Sequence, residues 1–259
     1  MIIGKKHKRV IAGILGLIVF FTFTCPSLSA EGAAEGLSDQ EVSERIDFIQ
    51  DALDQGSTAA QRWWYGWIAF YSGATAFSFV VASLTDDRTL KATQTVSGFQ
   101  SLVGLSGLLI APFTGAYAAG VLRSTPEDTP PDRGKKLSKA ERLLKKSAER
   151  EVEGRAWVQH ALGILVNVAG ALVIWKGYDK QIREAGDEPW REALLSFALG
   201  TAVSQLEIWT QPTRAIGDWE EYQKKYAKSG GEAQEDGAHL RLVALPTVHG
   251  LIIGTEINF

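Results

Sequence analysis

The chain has 259 residues, room for one or two domains, and its formal net charge of -3 with interleaved acidic and basic residues excludes an uninterrupted basic surface for nucleic acid. Its single cysteine, Cys25, leaves the rest of the chain without a disulfide, a thiolate nucleophile or a thiolate metal site. A mean hydropathy of -0.04 conceals an uneven pattern, because the apolar residues are gathered into long uncharged runs separated by charged connectors.

Residues 1–30 read as a secretory leader. Lys5, Lys6, Lys8 and Arg9 form a basic start, residues 10–23 an apolar core, and Ser27, Ser29 and Ala30 a small-residue cleavage region. Residues 31–57 form an amphipathic helix. Ser38-Asp39-Gln40-Glu41 is a capping box, Val42, Ile46, Ile49 and Leu53 share one face, and Gly56 is the expected stop.

The segment 58–122 is read as a pair of apolar helices. The first uncharged run, residues 63–85, is entered through Arg62-Trp63-Trp64-Tyr65-Gly66-Trp67, a cluster suited to lipid headgroups. The second run, residues 92–122, carries Pro112, where a kink is expected. Residues 123–155 are a charged connector: loop to residue 136, then a capping box, Ser138-Lys139-Ala140-Glu141, opening a helix with Leu143, Leu144, Ala148 and Val152 inward. With no breaker beyond Gly154, one helix is expected from Lys139 to about Trp175.

A second pair of apolar helices fills 156–210, with runs at 156–175 and 193–206, the latter opened by Asp187-Glu188-Pro189. The first three runs each reach the roughly 20 residues needed to cross a hydrocarbon core, and the fourth is shorter. Trp63, Trp64, Trp67, Trp157, Trp175, Trp190 and Trp209 fall at the ends of these runs, as interfacial aromatics do. Residues 211–238 hold a short helix with Ile216, Trp219, Tyr222 and Tyr226 on one side, then a flexible linker. In 239–259 the apolar period changes to two, which reads as a β-hairpin.

The fold class expected is therefore mainly α: a membrane-embedded bundle of about four apolar helices with amphipathic flanking helices and a short C-terminal β-hairpin. Orientation is contested. The leader sends the connector 123–155 across the membrane, whereas its 10 Lys and Arg favour the cytoplasmic side. Either one run, the short fourth above all, is not a true span, or the chain does not sit in the inner membrane as a plain four-helix bundle.

Counted outward from the turn 176–192, His160 and Glu207 sit at matching depth, so an antiparallel pair brings imidazole and carboxylate level. With Arg62 they are the candidate catalytic or proton-handling cluster, because ionisable groups inside a membrane are functional by default. The same two helices carry matched stripes of small and polar residues, Gly163, Asn167 and Gly170 facing Ser196, Gly200 and Ser204, which read as helix packing.

No metal-binding, Walker, dinucleotide or nucleophile-elbow motif is present, and no cofactor or metal is expected. Gly104-Leu105-Ser106-Gly107 resembles the GxSG of rhomboid intramembrane proteases, where a serine pairs with a histidine on a later span. Helical rise separates Ser106 from His160 by roughly 12–20 Å in depth, which argues against that pairing. The last ten residues, with Gly254, Ile257 and terminal Phe259, resemble the closing strand of bacterial outer-membrane barrels, but the capped charged helices leave too little chain for a barrel of eight strands.

The function expected is a structural, scaffold or assembly role in a bacterial cell-envelope membrane, with the inner membrane favoured over the outer membrane or periplasm. The expected partners are the lipid bilayer, an envelope protein met through residues 139–155 or 239–259, and a second copy of the chain. The alternative is a small membrane carrier or lipid-modifying enzyme using Arg62, His160 and Glu207.

Overall fold

The computed structural model describes residues 37–226 and the backbone of residues 239–247 and 250–258. The leader, the linker 227–238 and the side chains of the tail lie outside the described residues. The described chain is mainly helical. It divides into two units, residues 1–222 and 223–259; the second holds the strand segments β1 (His239–Thr247) and β2 (Gly250–Asn258).

Helix α1 (Asp39–Leu84) runs 46 residues, about 69 Å at helical rise. The Ser38 hydroxyl accepts from the Glu41 backbone N–H at 3.2 Å, as the capping box predicts. The expected stop at Gly56 does not occur. A mid-helix glycine costs roughly 1 kcal/mol, and packing on both sides outweighs it: Ile49 and Leu53 are buried before it, and Ala60 is buried after it against Phe113 and Ala116.

Asp87 caps α2 (Arg88–Ile110) through the Leu90 N–H at 2.9 Å. Pro112 ends this helix instead of kinking it. Proline removes the N–H that would reach the Leu108 carbonyl and forces the residue before it out of helical geometry. The Trp64 indole takes the orphaned Leu108 carbonyl at 3.1 Å, and Arg150 takes that of Ala111 at 2.8 Å. A 3-10 turn (Thr114–Ala116) and the short α3 (Ala118–Arg123) follow.

Helix α4 (Pro130–Gly154) starts eight residues before the Ser138 capping box. Thr129 is the N-cap, accepting from the Asp132 N–H at 3.3 Å, with prolines in the first turn. The single helix expected through residue 175 breaks at Gly154. A Cβ there would lie 2.0 Å from Gln211 Oε1, and Gln211 Nε2 donates to the Glu151 carbonyl at 3.0 Å. The side chain wedged against Gly154 turns the backbone before α5 (Trp157–Leu172) begins.

A single π-helical turn (Val173–Gly177) extends α5, the short α6 (Asp179–Glu184) occupies the connecting turn, and α7 (Pro189–Thr210) returns. Proline opens α7 as expected, but no side-chain cap bond forms. Helix α8 (Arg214–Tyr226) completes the first unit and enters the second.

Among the described residues, two helical stretches, α1 and Trp157–Gly177, are long and apolar enough to cross a membrane. In each, only 17% of the most apolar window is buried, whereas a helix at the core of a soluble protein is mostly buried. Exposed large apolar side chains recur along all four long apolar segments, Phe77 and Val80 in α1, Phe99 and Leu109 in α2, Leu165 in α5, and Leu195 and Leu199 in α7. The first half of α1 and α4 instead bury most of their apolar residues (Val42, Ile46, Ile49, Leu137, Leu144, Ala148), although Val152, expected inward, is exposed on the last turn of α4. They form a stalk in which both helices descend in parallel, because Arg133 bonds Asp39 near their starts while Leu53 and Leu144 line one crevice lower down.

Candidate functional site

The tryptophans mark two levels. Trp157 and Trp175 are 18 residues apart and Trp190 and Trp209 are 19 apart, separations of about 27–28 Å at helical rise, close to the roughly 30 Å of a hydrocarbon core. Trp63 and Trp67 turn their indole N–H groups inward to Thr210 Oγ1, each at 3.3 Å, and Trp63 also reaches the Glu207 carbonyl at 3.2 Å. Trp157, Trp175, Trp190 and Trp209 are exposed. Lys176 lies over the Trp175 ring, 3.9 Å from its centroid.

Between these levels a polar seam joins α5, α7 and α2. Asn167, 3% exposed, donates to the Gly163 carbonyl at 2.7 Å and to Ser204 Oγ at 3.1 Å, and accepts from Gln100 Nε2 at 3.0 Å. Ser204 in turn donates to the Gly200 carbonyl at 3.0 Å. The glycines are what let these amides in: a Cβ at Gly200 would stand 2.0 Å from Asn167 Oδ1, and one at Gly170 would stand 2.4 Å from Gln100 Nε2. At Gly163 the added carbon would meet Ser204 Cβ at 3.1 Å. Ser196, one turn before Gly200, is half-buried.

His160 and Glu207 share a depth but not a direction. His160 Nδ1 lies 2.5 Å from Gln205 Oε1, a hydrogen bond in the tautomer that carries its proton on Nδ1. Glu207 lies two residues beyond Gln205, about 200° further round α7, and its Oε2 accepts from Tyr71 Oη at 2.6 Å. Arg62 is exposed and makes none of the described hydrogen bonds or ion pairs. The cation acting on Glu207 is Arg150 at the foot of the stalk, where burial lowers the guanidinium pKa against the favourable charges of Glu153 and Glu207. Ser106 bonds the carbonyl of Leu102 in its own helix at 2.8 Å.

Four participants escape the sequence pattern: Tyr71, Gln100, Arg150 and Gln205. The signal for Gln100 and Gln205 is a lone amide inside an otherwise apolar stretch. Nothing in the local spacing singles out Arg150, which reaches the bundle from the last turns of α4 through the Ala111 carbonyl. Among the described residues no three His, Cys, Asp or Glu side chains gather into a metal-binding group. No protein-family model, no curated protein and no solved structure matches the chain.

Chemically, the seam satisfies polar groups inside an apolar bundle and fixes the register of its helices. The Tyr71–Glu207 pair adds one carboxylate with a donor on one oxygen and a cation nearby.

Proposed function

We propose that the protein is an exported integral membrane protein of a bacterial cell envelope with a scaffold role, its four apolar helices embedded in lipid and its stalk and tail presenting surfaces to partners. One observation carries this reading: the bundle is inside-out, with Asn167, Gln100 and Ser204 bonded to one another within and large apolar side chains without. Water would penalise that arrangement and lipid favours it. The tail is read as a two-stranded ribbon, and the antiparallel register of His239 opposite Asn258 and Thr247 opposite Gly250 supports it. A ribbon of two strands is marginal alone, so adding to the sheet edge of an envelope protein gives it a use.

The second reading, a small carrier or lipid-modifying enzyme, is favoured by the half-buried Glu207 carboxylate held by Tyr71 beneath an aromatic collar. The two readings separate in cells. The scaffold reading expects His160→Ala and Glu207→Gln to leave the phenotype of a null strain complemented, deletion of 239–259 to abolish complementation, and the chain to fractionate with membranes after carbonate washing. Loss on Glu207→Gln with the tail deletion silent would hand the function to the carboxylate.

A further inference from the structure

The stalk separates its charges by helix. On α1 the outward stripe is acidic, Glu44, Asp47, Asp51 and Asp54, with no basic residue on that face between Gln40 and Thr58. On α4 the outward stripe is basic from residue 135 to 146, with Lys135, Lys139, Arg142, Lys145 and Lys146, and turns acidic below it at Glu149 and Glu153. A solvated helix usually interleaves its signs at spacings of three and four. Along α4, Lys135 pairs with Asp132 at 4.0 Å and Lys145 with Glu149 at 3.9 Å; between helices, the described ion pairs of the stalk include Arg133 with Asp39 at 2.9 Å and Arg123 with Asp54 at 2.5 Å. Asp47, Asp51, Arg142 and Lys146 are exposed and make none of the described hydrogen bonds or ion pairs.

The stripes are also level. Taking the Arg133–Asp39 contact as a common height, Asp47 and Arg142 lie about 12–14 Å further along their helices, and Asp51 and Lys145 about 18 Å. Each stripe lies opposite the face its helix buries, Ile46, Ile49 and Leu53 on α1 and Leu137, Leu144 and Ala148 on α4. Within one copy Asp47 and Asp51 therefore face away from Arg142 and Lys146, while a second copy anchored in the same orientation offers the opposite charge at the same height.

We infer that the stalk is a self-association surface, on which the acidic face of α1 in one copy docks against the basic face of α4 in the next. The contact is heterologous, so copies standing side by side in the membrane build a ring or a row. Each exposed ion pair is worth little. Several acting together, between stalks that the membrane holds parallel and at high effective concentration, make a contact that salt weakens. This rests on the bundle being embedded in lipid.

The test uses full-length protein in native membranes, in a Cys25→Ser background. Asp51→Cys and Lys145→Cys chains carrying different tags are co-expressed and joined with a short bis-maleimide. Heterotypic product is expected at least tenfold above either homotypic product, and it should fall several-fold on raising salt from about 0.05 to 0.5 M. Reversing one face (Asp47→Lys in the Asp51→Cys chain, or Arg142→Glu with Lys146→Glu in the Lys145→Cys chain) should cut the product several-fold, and making both reversals together should restore it. Equal homotypic and heterotypic yields, or product unchanged by reversal, overturns the inference while leaving membrane embedding intact. A chain absent from the washed membrane fraction overturns both.

Discussion

Two residues make opposite demands on their surroundings. Glu151 is 3% exposed, and its carboxylate accepts from the Ile216 backbone N–H at 3.1 Å, at the start of α8. Burial is the main cause that raises its pKa from 4.5 to about 7, against backbone hydrogen bonds from Ile216 and Ala215 that act the other way. A raised acid is held more tightly as its protonated form in the folded state, so its contribution to stability is fullest below about pH 4.5 and is lost as pH rises toward 7. The difference is about 3 kcal/mol at most. Chemical denaturation of the detergent-solubilised protein between pH 4 and 8 should show this decline, and Glu151→Gln, which keeps an acceptor for Ile216, should flatten it. Gly200 makes the complementary demand for space. Gly200→Ala drives a carbon into Asn167 and should cost about 1–3 kcal/mol of stability, whereas Gly66→Ala and Gly73→Ala, which meet nothing within 4 Å inside α1, should each stabilise by up to about 1 kcal/mol. Equal thermal midpoints for all three would remove the packing role of the seam.

At the level of elements, the breaks are set by contacts distant in sequence. Gly154 ends α4 because Gln211 occupies the space of its Cβ. Gly154→Ala should therefore destabilise the chain by about 1–3 kcal/mol, and Gln211→Ala should recover part of that loss in a double-mutant cycle; additive losses would show that the wedge is not what ends the helix. This explains which elements are legible in sequence. Ser38 and Pro189 signal helix starts through chemistry within one turn, and the structure uses both, although no side-chain cap bond forms at the Pro189 start. Gly56 and Gly154 give the same local signal, yet one lies within a helix and the other ends one, because the packing of Ala60 and the wedge of Gln211 decide each case. The site follows the same division. Gly163, Asn167, Gly200 and Ser204 meet because spacing along a helix fixes a face. His160 and Glu207 take separate partners because equal depth does not fix azimuth, and Arg150 enters the cluster through a contact with the Ala111 carbonyl, 39 residues away, that no local pattern announces.

For the whole molecule, the decisive quantity is what surrounds the exposed apolar belt. Phe77 is 63% exposed and Leu199 61% exposed, both between the two tryptophan levels, whereas Asp51 is exposed on the stalk. In water all three positions are open to reagents; in a bilayer only Asp51 is. With Cys25 as the sole native cysteine, replaced by serine, single cysteines at these positions report their surroundings directly. In opened membrane fragments, where both faces are reachable, a charged maleimide should label Asp51→Cys at least tenfold faster than Phe77→Cys or Leu199→Cys. A small apolar maleimide, which partitions into lipid, should narrow the gap for Phe77→Cys and Leu199→Cys. Equal labelling by the charged reagent would mean that the belt faces water. Slow labelling of Phe77→Cys and Leu199→Cys by both reagents would mean instead that other chains bury the belt, with the polar seam in the interior of that assembly.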